Sequence, residues 1–183
     1  MTRPTEEIRR PALRPGPAIL IRPATAGDLP VLIRNMRSVV NEQIYTWTER
    51  VGKEKRERLL ATIRDQRSLS IVARVAGVKE IVGHLSLSLP GDVQKVRHAR
   101  DLSILVVDGY REQGVGTALM RYAVDWARKK EGVEKIHLGV FSTNSRALRV
   151  YQAIGFEIEG VLKRQYLIRG EYVDEIVMGL FVK

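Results

Sequence analysis

Apolar residues along this chain follow two periods, and the switching between them predicts a layered domain. Ile19-Leu20-Ile21 is a short apolar strand. Thr25, with Asp28 three residues on, is a helix-start signal. Leu29, Leu32, Ile33, Met36, Val39 and Val40 then recur at helical spacing. A second helix is predicted over 53–67, with Leu59, Leu60 and Ile63 inward. Leu69 to Val75 is rich in β-formers, and Gly77 marks a turn. Ile81 to Leu89 alternates before the breaker Pro90-Gly91, and Asp101 to Val107 is a further strand. A helix from Val115 to about Lys130 places Val115, Ala118, Leu119, Tyr122, Ala123, Trp126 and Ala127 on one face, and Gly132 ends it. Ile136 to Phe141 is a strand. Ser145 to Ile154 is a short helix, capped by Asn144 and closed by Gly155. Phe156 to Leu162 and Tyr172 to Val182 are the last strands. The order is strand, two helices, three strands, helix, strand, helix, two strands. That order predicts a mixed α/β layer fold around one sheet.

Composition adds boundaries. Residues 1–17 hold four prolines and four arginines without apolar period, and are expected to form a flexible arm before a single domain over 18–183. A hydrophobic share of 44% excludes a mostly disordered chain. No apolar run approaches the roughly 20 residues of a membrane span, and the N-terminus lacks a signal-peptide core, so a cytoplasmic protein is expected. With no cysteine, disulfides, thiolate metal sites and a cysteine nucleophile are excluded. His84, His98 and His137 have no metal-ligand spacing, so no metal is expected. The net charge of +10 favours anionic partners. The basic residues are scattered and no nucleic-acid motif appears, which favours a solvated basic surface or cofactor phosphates over nucleic acid.

The segment that carries chemistry runs from Leu105 to Thr117. An apolar strand enters a tight turn, Asp108-Gly109-Tyr110-Arg111-Glu112-Gln113-Gly114-Val115-Gly116, and the turn opens an amphipathic helix. Gly114 and Gly116 let the backbone turn and a ligand approach closely. The helix start offers free N–H groups and partial positive charge, a site suited to a pyrophosphate. A P-loop needs Lys after the last glycine, and a dinucleotide fingerprint needs a third glycine where Leu119 stands. What remains is Arg-x-x-Gly-x-Gly, which alone also fits a structural turn.

That segment resembles the acetyl-CoA pyrophosphate loop of the GNAT superfamily of N-acetyltransferases, Arg/Gln-x-x-Gly-x-Gly/Ala. Asp101-Leu102-Ser103 is similar to the start of the family's fourth strand, often Glu-Leu-Ser. Asn144-Ser145-Arg146-Ala147-Leu148-Arg149-Val150-Tyr151-Gln152-Ala153-Ile154-Gly155-Phe156 resembles the family's Asn-x-x-Ala-x-x-x-Tyr-x-x-x-Gly-Phe. The tail from Glu159-Gly160 to Met178 resembles the ribosomal-protein, polyamine and phosphinothricin-type branches. The resemblance covers about residues 19–182 and implies one GNAT domain, a mostly antiparallel mixed sheet flanked by helices.

The resemblance implies direct transfer of acetyl from acetyl-CoA to an amine, both bound at once. Backbone amides of Arg111, Glu112, Gln113, Gly114, Val115, Gly116 and Thr117 are implied to hold the pyrophosphate, with the Arg111 side chain adding charge or lying solvated. Backbone groups of Leu105, Val106 and Val107 are implied to pair with the pantetheine arm and polarise the thioester carbonyl. Asn144 is implied to reach the pantetheine, beside its role as cap. Tyr151 is the candidate general acid for the leaving thiolate, or else a core aromatic. The acceptor must be neutral to attack. At pH 7 that costs about 4.6 kcal/mol for a lysine-like amine of pKa about 10.4, and only about 1–1.4 for an α-amine. Asp101 is the first candidate base and His84 the second, unless His84 is structural. Tyr45, Trp47 and Glu49 occupy the acceptor-side loop, as contacts or packing. An acidic patch of Glu42, Glu49 and Asp101 would suit a polycation. The expected acceptor is a peptide or protein N-terminus first, then a small amine or amino acid, then a polyamine. The alternative is a non-catalytic acyl-CoA sensor or a basic nucleic-acid or ribosome-associated module. A homodimer through terminal strands fits the superfamily.

Overall fold

A computed structural model of the protein describes residues 17–42, 46, 50–91 and 94–183. The arm expected over 1–17 lies outside them except for Pro17. Seven strands and four helices follow in the expected order: β1 (Ile19–Pro23), α1 (Leu29–Glu42), α2 (Lys53–Arg64), β2 (Leu69–Val75), β3 (Gly83–Ser88), β4 (Ala99–Val106), α3 (Val115–Lys129), β5 (Lys135–Phe141), α4 (Ser145–Ile154), β6 (Glu157–Ile168) and β7 (Glu171–Phe181). They build one sheet of order β1-β2-β3-β4-β5-β7-β6. Every neighbouring pair is antiparallel except β4 and β5.

The two faces of the sheet are covered by different helices. Ile71, Leu85, Leu87, Leu102, Ile136, Leu138 and Met178 pack with Val115, Leu119, Met120, Ala123 and Ala127 of α3 and with Tyr151 of α4. Each of these buried Val, Leu, Ile and Met side chains contributes about 1.5–3 kcal/mol. Val72 and Ile81 pack instead with Leu29, Leu32 and Leu59 beneath α1 and α2. Strand alternation thus assigns odd positions of β2 and β3 and even positions of β4 and β5 to the α3 side. At Gly83 a Cβ would stand 2.9 Å from Leu119 Cδ1 and Val115 Cγ1, so α3 lies directly on β3 there.

Local signals set several ends. Asp28 accepts from Thr25 N–H (2.8 Å) and Thr25 Oγ1 (2.9 Å), opening a 3-10 turn that leads into α1. Arg22 grips the same carboxylate at 2.7 Å, which holds its pKa far below the usual range. Asn144 Oδ1 accepts from Ala147 N–H at 3.1 Å, and Gly155 closes α4 at φ 109°.

Four expectations are corrected. Helix α2 ends at Arg64 rather than 67, because Asp65 accepts from Arg67 N–H (2.9 Å) and Ser68 Oγ (3.2 Å) and turns the chain. Strand β3 starts at Gly83 and is buried from Gly83 to Leu87, since helices cover both faces. Strand β6 runs on to Ile168, past the polar Lys163-Arg164-Gln165, as the edge strand around a register shift. Tyr122 is exposed, and Met120 and Val124 take the inward places. Among the described residues no helix is long and apolar enough to cross a membrane.

Candidate functional site

The parallel strands β4 and β5 pair at three positions only, Ala99↔Lys135, Arg100↔Ile136 and Asp101↔His137. Beyond them β4 continues to Val106 and β5 to Phe141 without pairing, so the sheet opens into a wedge whose apex is Asp101 and His137. On its other side β4 stays paired with β3 down to Gly83↔Val106. Val107 N–H donates to Val82 O at 2.9 Å. In an antiparallel ladder alternate residues direct their backbone groups to opposite neighbours. Residues 101, 103, 105 and 107 therefore face β3, and the N–H and C=O groups of Leu102, Ile104 and Val106 face the wedge. Of the expected backbone set, Leu105 faces β3, Val107 donates its N–H to Val82 O and accepts with its C=O from Tyr110 N–H at 3.2 Å, and Val106 and Ile104 line the opening.

The wedge leads into the Gly-rich turn. Glu112 and Gly114 both adopt left-handed backbone, φ 62° and 83°. Left-handed residues set between ordinary ones turn successive N–H groups into one concavity, which attracts anions. Gly114 is the N-cap of α3 and has no side chain to satisfy the N–H groups of the first turn. Gln113 Nε2 donates to Gly109 O (2.7 Å), and Glu112 pairs with Arg146 of α4 (3.1 Å), so the turn is braced from within and from α4. The Arg111 side chain is neither solvated nor directed over the turn. It donates through Nε to Val106 O (3.0 Å) and grips both oxygens of Glu42 (2.7 and 2.6 Å), joining the end of α1 to this turn. Arg169, in the β6–β7 hairpin, donates to Glu42 O at 3.0 Å. Glu42 is thereby neutralised and leaves the acidic patch expected with Asp101.

From the α4 side comes Tyr151. Its ring is buried beside Phe156, at a centroid distance of 6.0 Å. Its hydroxyl bonds no described residue, yet every fully buried side-chain oxygen and nitrogen among the described residues has a partner. The hydroxyl is therefore reachable at the edge of a buried ring. Burial pushes its pKa up to about 12, which keeps the proton on the phenol. Asn144 spends its oxygen on the helix cap and keeps its amide N–H groups available.

The opposite face of the wedge, beneath α1 and α2, is polar. Asp101 is exposed at the apex. Surrounding protein pushes its pKa up, against the pull of His137 and Lys55, and Glu175 adds to the rise. His84, the second candidate base, is 5% exposed, and its Nε2 lies 3.0 Å from Ser70 Oγ, the surroundings of a structural histidine. Burial first, then the Lys55 charge, lowers its pKa from 6.5 to about 4. The unfolded chain thus takes up a proton between pH 6.5 and 4 that the folded chain refuses. This share of stability is full above pH 6.5 and is lost as pH falls towards 4, by about 2 kcal/mol at pH 4.5. Urea midpoints of the wild type and His84→Gln at pH 7 and pH 4.5 check this, with the wild type falling further.

Tyr45, Trp47 and Glu49 lie outside the described residues. Three residues missed in the sequence stand on this face. Tyr166 of β6 donates to Glu175 Oε2 of β7 at 2.8 Å, and the Glu175 carboxylate occupies the space that a side chain at Gly139 of β5 would fill. A glycine inside the apolar run Ile136 to Phe141 was the available signal. Among the described residues no group of three His, Asp or Glu side chains could hold a metal ion.

Comparison with known proteins places the chain in a family and matches its fold. The model of the acetyltransferase (GNAT) family matches residues 36–156. The L-amino acid N-acetyltransferase AaaT of Escherichia coli K12 is 37% identical over 60% of this chain and 65% of its own length. The spermidine N(1)-acetyltransferase of the same strain is 27% identical over 49% of this chain and 48% of its own. The chain thus spans about half to two thirds of the curated relatives it matches. Among solved structures, a GNAT-family acetyltransferase from Streptococcus pneumoniae superposes with a TM-score of 0.80 at 26% identity, over 91% of this chain and 100% of that one.

Proposed function

The chain belongs to the acetyltransferase (GNAT) family, and we propose that it transfers acetyl from acetyl-CoA to a primary amine, with both substrates bound at once. The observation that carries this is the wedge between β4 and β5 ending in the left-handed turn at α3. The turn's N–H groups from Arg111 to Thr117 take the pyrophosphate. Backbone groups of Ile104 and Val106 pair with the pantetheine arm and place the thioester carbonyl in the opening. Asn144 reaches the arm from α4. Tyr151 meets the sulfur as the C–S bond breaks. Asp101 draws the incoming ammonium to the apex.

The acceptor we propose is an α-amine, of a peptide N-terminus or a free amino acid. Neutralising an α-amine costs about 1–1.4 kcal/mol at pH 7, against about 4.6 for a lysine-like amine. The net charge of +10 and the pairing of Glu42 with Arg111 disfavour a polycation. The L-amino acid enzyme, the more similar of the two relatives, supports the same choice.

The test is free-thiol release from acetyl-CoA with panels of peptides, amino acids and polyamines. The protein has no cysteine and adds no thiol background. We expect release that depends on an α-amine. Release with polyamines alone would overturn the acceptor class. Acetyl-CoA binding without release from any panel would favour a sensor.

A further inference from the structure

The acceptor side of the wedge holds a carboxylate that the family motifs do not point to. Strand register places it. Asp101 pairs with His137, so two residues further along the parallel strands Ser103 stands level with Gly139. By that level β4 and β5 no longer pair. Glu175, on β7, is in register with Phe141, and Gly139 with Val177. The side chain of Glu175 nevertheless crosses diagonally over β5, because its Oε1 lies where a Cβ on Gly139 would have to be. Its other oxygen is held by the Tyr166 hydroxyl at 2.8 Å. Tyr166 is fixed in turn by an edge-on contact of its ring with Phe141, 5.0 Å between centroids. Glu175 is thus aimed towards the open part of the wedge, with one oxygen anchored and the other unanchored by any described side chain.

Asp101 is less well placed for chemistry. It sits at the apex, where the strands are still paired, and it carries the shorter side chain. Glu175 reaches over Gly139, past the apex, where the two strands no longer pair.

We propose that Glu175 is the proton acceptor for the amine, with Tyr166 and Gly139 as its positioning residues. This rests on the acetyltransferase reading above. The ammonium of the acceptor gives one N–H proton to Glu175 Oε1, leaving a neutral amine and a carboxylic acid. The nitrogen lone pair then attacks the thioester carbonyl, the C–S pair departs with the sulfur, and the surplus N–H proton of the newly acylated nitrogen passes to the thiolate, leaving a neutral amide and free CoA thiol. The acid returns its proton to solvent after the product leaves. Tyr166 from β6 bonds Glu175, and Asp101 from β4 interacts with it through charge; Asp101 in turn feels His137 from β5 and Lys55 from α2. Tyr166 has its pKa pushed up to about 12, by burial first and then by the bond to Glu175 and its charge, so it remains a donor throughout the working range.

The experiment compares wild type, Glu175→Gln, Gly139→Ala and the double variant with one α-amine acceptor from pH 6.5 to pH 9.5. Glu175→Gln keeps the shape and the bond from Tyr166, and Gly139→Ala keeps the carboxylate but displaces it. We expect each single variant to lower kcat/KM for the amine about 100-fold at pH 7, within the usual range for general-base catalysis. The acetyl-CoA Kd should stay within twofold. The loss should shrink to less than tenfold at pH 9.5, where the amine arrives neutral, and the double variant should be no worse than either single one. A purely structural role would give no recovery at high pH. Folding is checked by thermal midpoint, and Tyr166→Phe supplies a milder variant if Gly139→Ala unfolds. An active wild type with Glu175→Gln within threefold of it at pH 7 overturns the proposal. A wild type with no acceptor-dependent thiol release overturns the acetyltransferase reading beneath it instead.

Discussion

Gly116→Leu is expected to weaken acetyl-CoA binding on the order of 100-fold while leaving the fold as stable as before, or slightly more so. Gly116 is the second residue of α3 and has no left-handed backbone. A Cβ there would meet only ordinary contacts, Val106 Cγ2 at 3.9 Å and Ile104 Cδ1 at 4.0 Å. Helix propensity favours leucine over glycine by close to 1 kcal/mol. Nothing in the fold therefore requires this glycine, and the remaining reason for it is close approach of a ligand to the first turn. A side chain there stands between the phosphates and N–H groups whose charge-assisted bonds contribute about 1.5–3 kcal/mol each. Losing one such bond, near the top of that range, corresponds to the stated change, since 100-fold is about 2.8 kcal/mol. Gly114→Ala makes the contrast. Gly114 sits at φ 83°, where an L-residue costs about 1–2 kcal/mol, so this variant should lose stability and affinity together. Calorimetric titration with CoA and a thermal melt measure both quantities. Gly116→Leu that binds CoA like the wild type would detach the turn from the cofactor.

Much of this architecture was legible because its signals are local. Asn144 and Gly155 bound α4 through their own backbone and side-chain chemistry, and Gly114 marks the start of α3 in the same way. Strand β2 was read to the residue. Tyr122 was misplaced because a phenol on the flank of an amphipathic helix fits a periodic pattern whether it faces in or out. The far end of β6 was lost because Lys163, Arg164 and Gln165 interrupt its alternation at a register shift. The wedge belongs to a different kind of information. Nothing in the residues of β4 or β5 states that they stop pairing after Asp101 and His137, since this is a property of how two strands diverge in a sheet. The Arg111–Glu42 pair joins residues 69 positions apart, and the Tyr166–Glu175 pair depends on the register of the last hairpin. The motif therefore located the turn proposed to take the cofactor, whose N–H groups are consecutive in the chain. The acceptor side is assembled from four strands and α2, and sequence alone picked out Asp101 but not Glu175.

Tyr151→Phe should reduce turnover on the order of 100-fold and leave the acetyl-CoA Kd within twofold. The ring keeps its burial and its contact with Phe156 in this variant, so the change removes one reachable hydroxyl and nothing else. That hydroxyl has a pKa pushed up to about 12. A thiol has an ordinary pKa near 8.5, so full proton transfer from the phenol to the departing thiolate is uphill by about 5 kcal/mol. The hydroxyl is better suited to donate a hydrogen bond that strengthens as negative charge grows on sulfur. The thiolate can take its proton from the attacking nitrogen, which carries a surplus one once the C–N bond forms. Removing a single donor aimed at developing charge costs roughly 100- to 1000-fold elsewhere in enzymology. Two results follow from a donor rather than a full acid. The rate profile of the wild type should show no loss from tyrosine ionisation below about pH 10, as expected for a group held near 12. A thioester with a more acidic thiol needs less help at sulfur, so the Phe variant should lose less with it. Steady-state rates with acetyl-CoA and with such an activated thioester test this directly. Full turnover in Tyr151→Phe would remove the residue from the mechanism and return it to the core packing of α4.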